Sequence, residues 1–343
     1  MIETVLGQRS APTSGIVLPH EHLFNALPTA TSPLPPEAHQ DLVHAPVGGE
    51  NQWRLRVDPY CNLDNVGVKE REFVEAELHV FASLGGALIV DVTGSADTGR
   101  DPEALASVAR ATGVDVVMAT GPYLETAEPT AANSSVEKIA ESMIADLTTG
   151  AGESNIRAGL IGEVGVSPRF TNTEKGFLIA AAEAHRARPD VAVMVHLPGW
   201  LRRGHEVVDL LTSHGVPENR IVLAHMDPSG RDPHYQTSLA ERGVWLEFDM
   251  IGMGITFPGE GRSPDPSETS QAIAQLIKRG HSDQLLLSHD LFLKQMWTAR
   301  GGDGLTFISK RFRQYLEEHD IDDVQWENLT RRNPLRMIQG DAL

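Results

Sequence analysis

Two histidines, His20 and His22, stand two residues apart where an apolar run ends, in Leu18-Pro19-His20-Glu21-His22-Leu23. On an extended segment, side chains at i and i+2 point to one side, so the pair could chelate a cation. Taken alone the spacing is weak evidence, and two hydrogen-bonded surface imidazoles explain it better. Other apolar runs, however, close with the same chemistry: Gly162-Glu163-Val164-Gly165, Val195-His196, Ala224-His225-Met226-Asp227 and Ser288-His289-Asp290. A lone histidine at such a place is usually a core residue. His20, His22, His196 and His225, together with the carboxylates of Glu163 and Asp290, instead form a nitrogen-and-oxygen set. That set suits zinc first, with manganese or another divalent ion as the alternative. The single cysteine, Cys61, leaves no disulfide framework and no CxxC motif, which fits a reducing compartment. With no obvious base nearby, Cys61 is read as a packed or surface thiol and not a nucleophile.

What must position these ends is a repeating alternation. Val/Ile/Leu-rich runs fall at 15–18, 87–92, 115–119, 158–162, 192–195, 220–224, 244–248 and 284–287. They are apolar throughout, as strands buried on both faces are. Amphipathic stretches of helical length lie between and after them, at 70–84, 102–112, 136–147, 173–188, 205–214, 234–242, 268–279 and 307–319. Parallel neighbours need crossovers of about a dozen residues or more, so this order predicts an α/β chain folded as a closed (β/α)8 TIM barrel. One domain then covers 1–343. An open doubly wound sheet is the competing arrangement, because strand order is not written in the sequence. In a barrel the active site lies at the C-terminal ends of the strands, where the six candidate ligands stand.

The segment 28–65 fits neither period. It holds five prolines within 28–46, then Gly48-Gly49 and Trp53. A loop of that length after the first strand is expected to lie over the catalytic mouth, with a surface excursion or a dimer contact as the alternative. A Gly/Pro/Ser-rich stretch at 252–267 reads as a second mobile flap.

Composition narrows the partners. The chain has 343 residues, 41% apolar and 22% charged, which excludes disordered and collagen-like classes. Lys and Arg number 29 against 47 Asp and Glu, a formal charge of −18 that would repel nucleic acid or an anionic membrane. No run approaches the roughly 18 apolar residues of a membrane span, and Met1 to Arg9 has no signal-peptide core. The expectation is a cytoplasmic protein acting on a small molecule.

These residues resemble the phosphotriesterase-related family of the amidohydrolase superfamily. The resemblance runs almost end to end, through Leu18-Pro19-His20-Glu21-His22-Leu23, Leu84-Gly85-Gly86, Gly99-Arg100-Asp101-Pro102 and Ala119-Thr120-Gly121-Pro122-Tyr123. It continues through Ile161-Gly162-Glu163-Val164-Gly165, Val195-His196, Ala224-His225-Met226-Asp227 and Phe248-Asp249. Ser288-His289-Asp290, Gly301-Gly302-Asp303-Gly304 and Asn333-Pro334 complete it. It implies two divalent ions per chain, with His20, His22 and Asp290 on the more buried one, His196 and His225 on the more exposed one, and Glu163 bridging. Many relatives bridge with a carbamylated lysine. Here a glutamate ends the fourth strand and the nearest lysine, Lys175, falls in the next helix, so no carbamylated lysine is expected and the chain looks like the glutamate-bridged branch. A homodimer is compatible with the family and with exposed barrel helices.

Two divalent ions sharing a water would hold it as a bridging hydroxide, the nucleophile, while the more exposed ion polarises the substrate oxygen. Asp290 is the candidate proton acceptor. The leading expectation is hydrolysis of a carboxylic ester, lactone or amide; the alternative is a phosphotriester or other phosphoester. A non-catalytic metal-binding barrel would show a broken ligand set. Tyr123, Asp249, Arg100 and Trp53 are candidate substrate contacts. Against these stand a packed tyrosine, an Asp249 that orients a ligand histidine, and, as the favoured reading for Arg100, a structural pair with Asp101 or another carboxylate; Trp53, Trp200 and Trp297 could form an apolar pocket wall, with simple packing as the equal alternative. His289 should point away from the ions, and the remaining histidines are read as mostly solvated.

Overall fold

The computed structural model describes residues 1–33, 37 and 39–340. Residues 34–36 and 38 of the 28–65 loop lie outside the described residues. Eight parallel strands follow one another in chain order around one sheet. They are β1 (Ile16–Glu21), β2 (Gly86–Asp91), β3 (Asp115–Thr120), β4 (Leu160–Gly165), β5 (Val193–His196), β6 (Ile221–Leu223), β7 (Trp245–Phe248) and β8 (Leu285–Leu287). Side-chain and backbone hydrogen bonds join the last strand to the first. The Ser288 hydroxyl accepts from the His20 N–H at 3.1 Å, and the Asp290 N–H donates to the His20 carbonyl at 3.3 Å. The expected TIM barrel is therefore the fold, and the open sheet is not.

Period-2 alternation divides the core. Leu88, Val90, Val117, Ala119, Met194, Val222 and Leu286 fill the barrel interior. Their neighbours Ile89, Val116, Met118, Val193, Val195, Leu285 and Leu287 pack outward on the helices. With both faces covered, every position can be apolar, which is why these strands read as continuous runs.

The intervening helices are α1 (Arg71–Ser83), α2 (Pro102–Thr112), α3 (Val136–Thr148), α4 (Asn172–Ala187), α5 (Gly204–Ser213), α6 (Pro233–Ala240), α7 (Pro266–Lys278) and α8 (Arg313–Glu317). Local chemistry sets several starts. Asp101 caps α2 by accepting the Ala104 N–H at 2.9 Å, with Pro102 in the first turn; Thr171 and Glu174 form a capping box at α4. The periodic stretch 307–319 is less regular than expected, since a π-helical turn, Ile308–Phe312, precedes α8.

A short hairpin of Ile2–Thr4 and Gly7–Arg9, missed by periodicity because each arm is three residues, lies at the N-terminal end of the barrel. Its Ile2 joins Leu335, Met337 and Ile338 in closing that end. The 28–65 loop has its own small core of Leu42, Val47, Leu55 and Cys61 and is tied to the loop after β8. Asn65 accepts the Gln295 N–H at 2.8 Å, and Lys294 Nζ reaches Asp64 at 2.8 Å. Cys61 is buried, its thiol donating to the Asp58 carbonyl at 3.0 Å. The 252–267 stretch holds a two-stranded hairpin, Thr256–Phe257 with Gly261–Arg262, joined to the 28–65 loop by the Thr256 N–H to the Arg56 carbonyl at 2.7 Å. Among the described residues no helix is long and apolar enough to cross a membrane.

Candidate active site

Two irregularities in the sheet fall where the ligands are. β1 pairs with β2 as Leu18 opposite Ile89, then as Glu21 opposite Asp91, so β1 carries one extra residue between them. β4 does the same against β5, from Ile161 opposite Val193 to Val164 opposite Val195. Such bulges re-aim a side chain without ending the strand. Here they lie at Pro19-His20 and Gly162-Glu163. Gly162 has φ +130°, and a Cβ there would stand 2.4 Å from the Met194 carbonyl oxygen, so only glycine fits. His225 and Asp290 adopt left-handed backbone, φ +59° and +51°, which costs about 1–3 kcal/mol per residue and is retained where the surroundings dictate it.

The six side chains converge into two groups that share Glu163. His22 Nε2 lies 3.5 Å from Glu163 Oε1 and 3.3 Å from Asp290 Oδ1. His20 Nε2 lies 3.5 Å from Glu163 Oε2 and 3.7 Å from Asp290 Oδ1. On the other side, Glu163 Oε2 is 3.2 Å from His196 Nδ1 and 3.4 Å from His225 Nε2. Ligands about 2.0–2.1 Å from one tetrahedral ion stand about 3.3 Å apart, so these separations are those of donor atoms around a cation. The 2.6 Å contact between His225 Nε2 and His196 Nδ1 is shorter, a ring-to-ring hydrogen bond whose shared proton a cation would replace. His20 Nε2 provides the sharpest test: it is fully buried and finds no hydrogen-bond partner. An orphaned buried nitrogen facing two carboxylates fits a metal ligand.

The far side of each ring is held. Glu247 Oε2 takes His20 Nδ1 at 3.0 Å, Thr93 Oγ1 meets His22 Nδ1 at 2.9 Å, and Asp249 Oδ1 takes His225 Nδ1 at 2.8 Å. Each contact fixes a tautomer with Nε2 free to coordinate. Asp249 Oδ2 also accepts the His225 backbone N–H at 2.8 Å, which holds the left-handed turn. Glu21 does the corresponding work for Asp290. Its carboxylate accepts from Ser288 Oγ at 2.9 Å, from the His289 N–H and Nδ1 at 3.0 and 2.9 Å, and from the Leu291 N–H at 2.9 Å. His289 points away from the centre as expected, its Nε2 accepting the Ile308 N–H at 3.1 Å.

Crowded carboxylates decide the electrostatics. Burial pulls His20 downward, yet the charges of Glu163 and Glu247 outweigh it and raise the ring to about 10; His22 rises to about 9 against the same burial through Asp290 and Glu163. His225 is likewise raised well above its ordinary value, burial being overcome by Asp249 and Glu163. Glu163 is held well below the carboxylate range despite burial, by His196 and His20. Burial lifts Glu247 to about 7 even beside His20. A buried floor that draws in protons this strongly calls for positive charge, which divalent ions would supply.

The centre opens into a cavity of about 910 Å³, counted to its open mouth. Tyr123 lines it, its hydroxyl 3.4 Å from His196 Nε2, and so do Tyr60 of the 28–65 loop and Trp200. Phe257 and Glu260 enter it from the 252–267 hairpin. Three expected substrate contacts are placed elsewhere. Asp249 is fully buried behind His225. Arg100 turns from the cavity to Asp146 at 2.6 Å, a carboxylate that also accepts from Thr120 Oγ1. Trp53 stands on a four-residue helix, 69% exposed. Trp297 is buried outside the cavity, and His39 and His185 are buried instead of solvated. Glu247, Thr93 and the role of Glu21 were missed. Glu247 had a signal: a carboxylate inside the apolar run 244–248 needs a partner.

A model of the phosphotriesterase family matches residues 1–338. An N-acetyltaurine hydrolase from Dictyostelium discoideum is 29% identical over 362 aligned residues, covering 98% of this chain and 97% of its own length. Among solved structures, a resiniferatoxin-binding protein from Rhodobacter sphaeroides superimposes with a TM-score of 0.96 at 41% identity, over 100% of this chain and 96% of its own. A mutant of a phosphotriesterase-like lactonase from Deinococcus radiodurans does so with a TM-score of 0.76 at 26% identity, over 98% and 100%. With barrel, ligand set and match running the length of the chain, this protein belongs to the phosphotriesterase family of hydrolases.

Proposed function

We propose that this protein hydrolyses a carboxylic ester, lactone or amide at a centre of two divalent ions, zinc first, held by His20, His22, Asp290, His196 and His225 and shared through Glu163. The observation that carries this reading is the pair of donor groups meeting at Glu163 on the floor of a cavity of small-molecule size. Two ions there would lower the pKa of a water between them and polarise a substrate oxygen. The rest is done by side chains. Asp290, on the cavity floor, takes the proton of the attacking water and returns it to the leaving group. Burial and the nearby Glu163 charge hold Tyr123 well above its ordinary value, so its phenol stays a neutral donor that can hydrogen-bond the substrate oxygen. Asp249, Glu247 and Thr93 keep three rings in their ligating tautomers. The aromatic walls limit water around the reacting groups. Relatives named for amide and lactone hydrolysis support the carbonyl reading.

The test compares an aryl ester, a γ-lactone and an anilide with an aryl dialkyl phosphate carrying the ester's leaving group. Higher kcat/KM on a carbonyl substrate is expected. Preference for the phosphate would transfer the assignment to phosphoester hydrolysis.

A further inference from the structure

The cavity wall carries a chemical bias beyond its floor. Among the described residues that line it there is no lysine or arginine, and its one carboxylate outside the ligand set, Glu260, is exposed at the mouth. Three cations beside lining residues are engaged elsewhere. Lys69 is buried behind the wall, donating to the backbone carbonyls of Asn25 and Phe292 and to Asn25 Oδ1. Arg202 pairs with Asp232 at 3.3 Å and Arg203 with Glu206 at 2.8 Å. The serine and threonine hydroxyls of the wall are spent as well, leaving only the phenols of Tyr60 and Tyr123: Ser167 Oγ donates to Glu174 at 2.8 Å, Thr98 Oγ1 to the Ser95 carbonyl at 3.2 Å, and Thr93 Oγ1 is joined to His22.

What remains is aromatic. Phe257 contacts Tyr60, Trp200 and Phe292, with ring centroids 6.0, 5.8 and 6.3 Å apart. The hairpin bearing Phe257 and Glu260 is seated against Trp200 by Gly261, where a Cβ would stand 2.1 Å from the indole nitrogen. An anion in such a wall loses its hydration and gains no cationic partner, the phenols of Tyr60 and Tyr123 being the side-chain hydroxyls left to it. Glu260 and the chain's formal charge of −18 add repulsion along the approach.

Resting on the hydrolase reading above, we propose that this wall, with Glu260 at its mouth, selects substrates by charge. The site takes an uncharged, largely apolar acyl compound and turns away one bearing an anionic group remote from the scissile bond. Glu260 is the specificity-determining residue, and a cationic end is tolerated.

The experiment uses the metal-loaded protein and three aryl esters of equal acyl length, ending in methyl, carboxylate or trimethylammonium. The same three chains, as inert aryl ketones, are titrated calorimetrically so that charge preference is read without turnover. The carboxylate ester should show kcat/KM at least about tenfold below the methyl ester, and its ketone correspondingly weaker binding. The carboxylate-to-methyl ratio should rise several-fold in Glu260→Gln and further in Glu260→Lys, and the Glu260 effect should shrink with added salt. Equal handling of carboxylate and methyl ketones, or a ratio unmoved by Glu260→Lys, would overturn the proposal. So would trimethylammonium falling as far as carboxylate, since any charge would then be excluded alike. If no ester is turned over while the ketones keep the predicted order, charge selection stands and the hydrolase reading fails.

Discussion

Glu21 offers a demanding test of how the barrel seam positions Asp290, because one buried carboxylate receives four donors from the segment that carries it. In Glu21→Gln the side chain keeps its shape but one oxygen becomes an NH2. The three donors on Oε1 can persist as weaker, neutral hydrogen bonds. The Leu291 N–H, 2.9 Å from Oε2, instead meets another donor. An orphaned buried N–H costs about 1–3 kcal/mol, and loss of charge assistance on the others adds about 1 kcal/mol or more. The expected loss is about 3 kcal/mol, within the roughly 5–15 kcal/mol that a folded chain has, so the variant should fold. Asp290 lies between the two anchored amides, and its left-handed turn should slacken. Metal affinity is then expected to fall about 10–100-fold, the usual cost of removing a group that orients a ligand. Denaturant unfolding of chelator-treated protein reads the first quantity, and ion release to a competing chelator reads the second. A loss below about 0.5 kcal/mol with unchanged retention would refute this account of the seam.

Asp249→Asn removes an acceptor from either the ring or the backbone of His225 and weakens the His196/His225 side, so elemental analysis should find metal content falling from near two ions towards one per chain. Arg100→Ala breaks a largely buried pair with Asp146 and should cost about 3–5 kcal/mol in unfolding experiments while leaving KM unchanged; a raised KM with stability intact would return Arg100 to the substrate site. Burial lowers the pKa of His185, whose Nδ1 donates to the Val191 carbonyl at 2.8 Å. Below its ordinary value of about 6.5 the unfolded chain therefore binds the proton first. The native protein should lose stability between pH 7.5 and 5.5 that His185→Gln does not lose, as read by parallel unfolding curves.

The barrel was legible because continuous apolar strands and amphipathic stretches of helical length alternate strictly, and both patterns require the same architecture. The ligands were legible as types at strand ends. Their aim was not, since it depends on bulges at Pro19-His20 and Gly162-Glu163 that exist only relative to neighbouring strands. Partners separated by long stretches of chain were hidden for the same reason: Glu247 meets His20 across the barrel, and Glu21 meets the segment after β8. For Arg100 and Trp53 loop position left side-chain direction open, which Asp146 determines for one and solvent accepts for the other. The Ile2–Thr4 hairpin and the π turn before α8 are too short or too irregular to leave a period.

The central claim is a centre for two ions shared through Glu163. Its most direct test is metal content per folded chain after loading with zinc and removal of loose ions, for the native protein beside Glu163→Ala. Close to two ions per chain, falling clearly in a variant that keeps its far-ultraviolet dichroism, is the predicted result. One ion or none in the native protein, or two retained by Glu163→Ala, would contradict it.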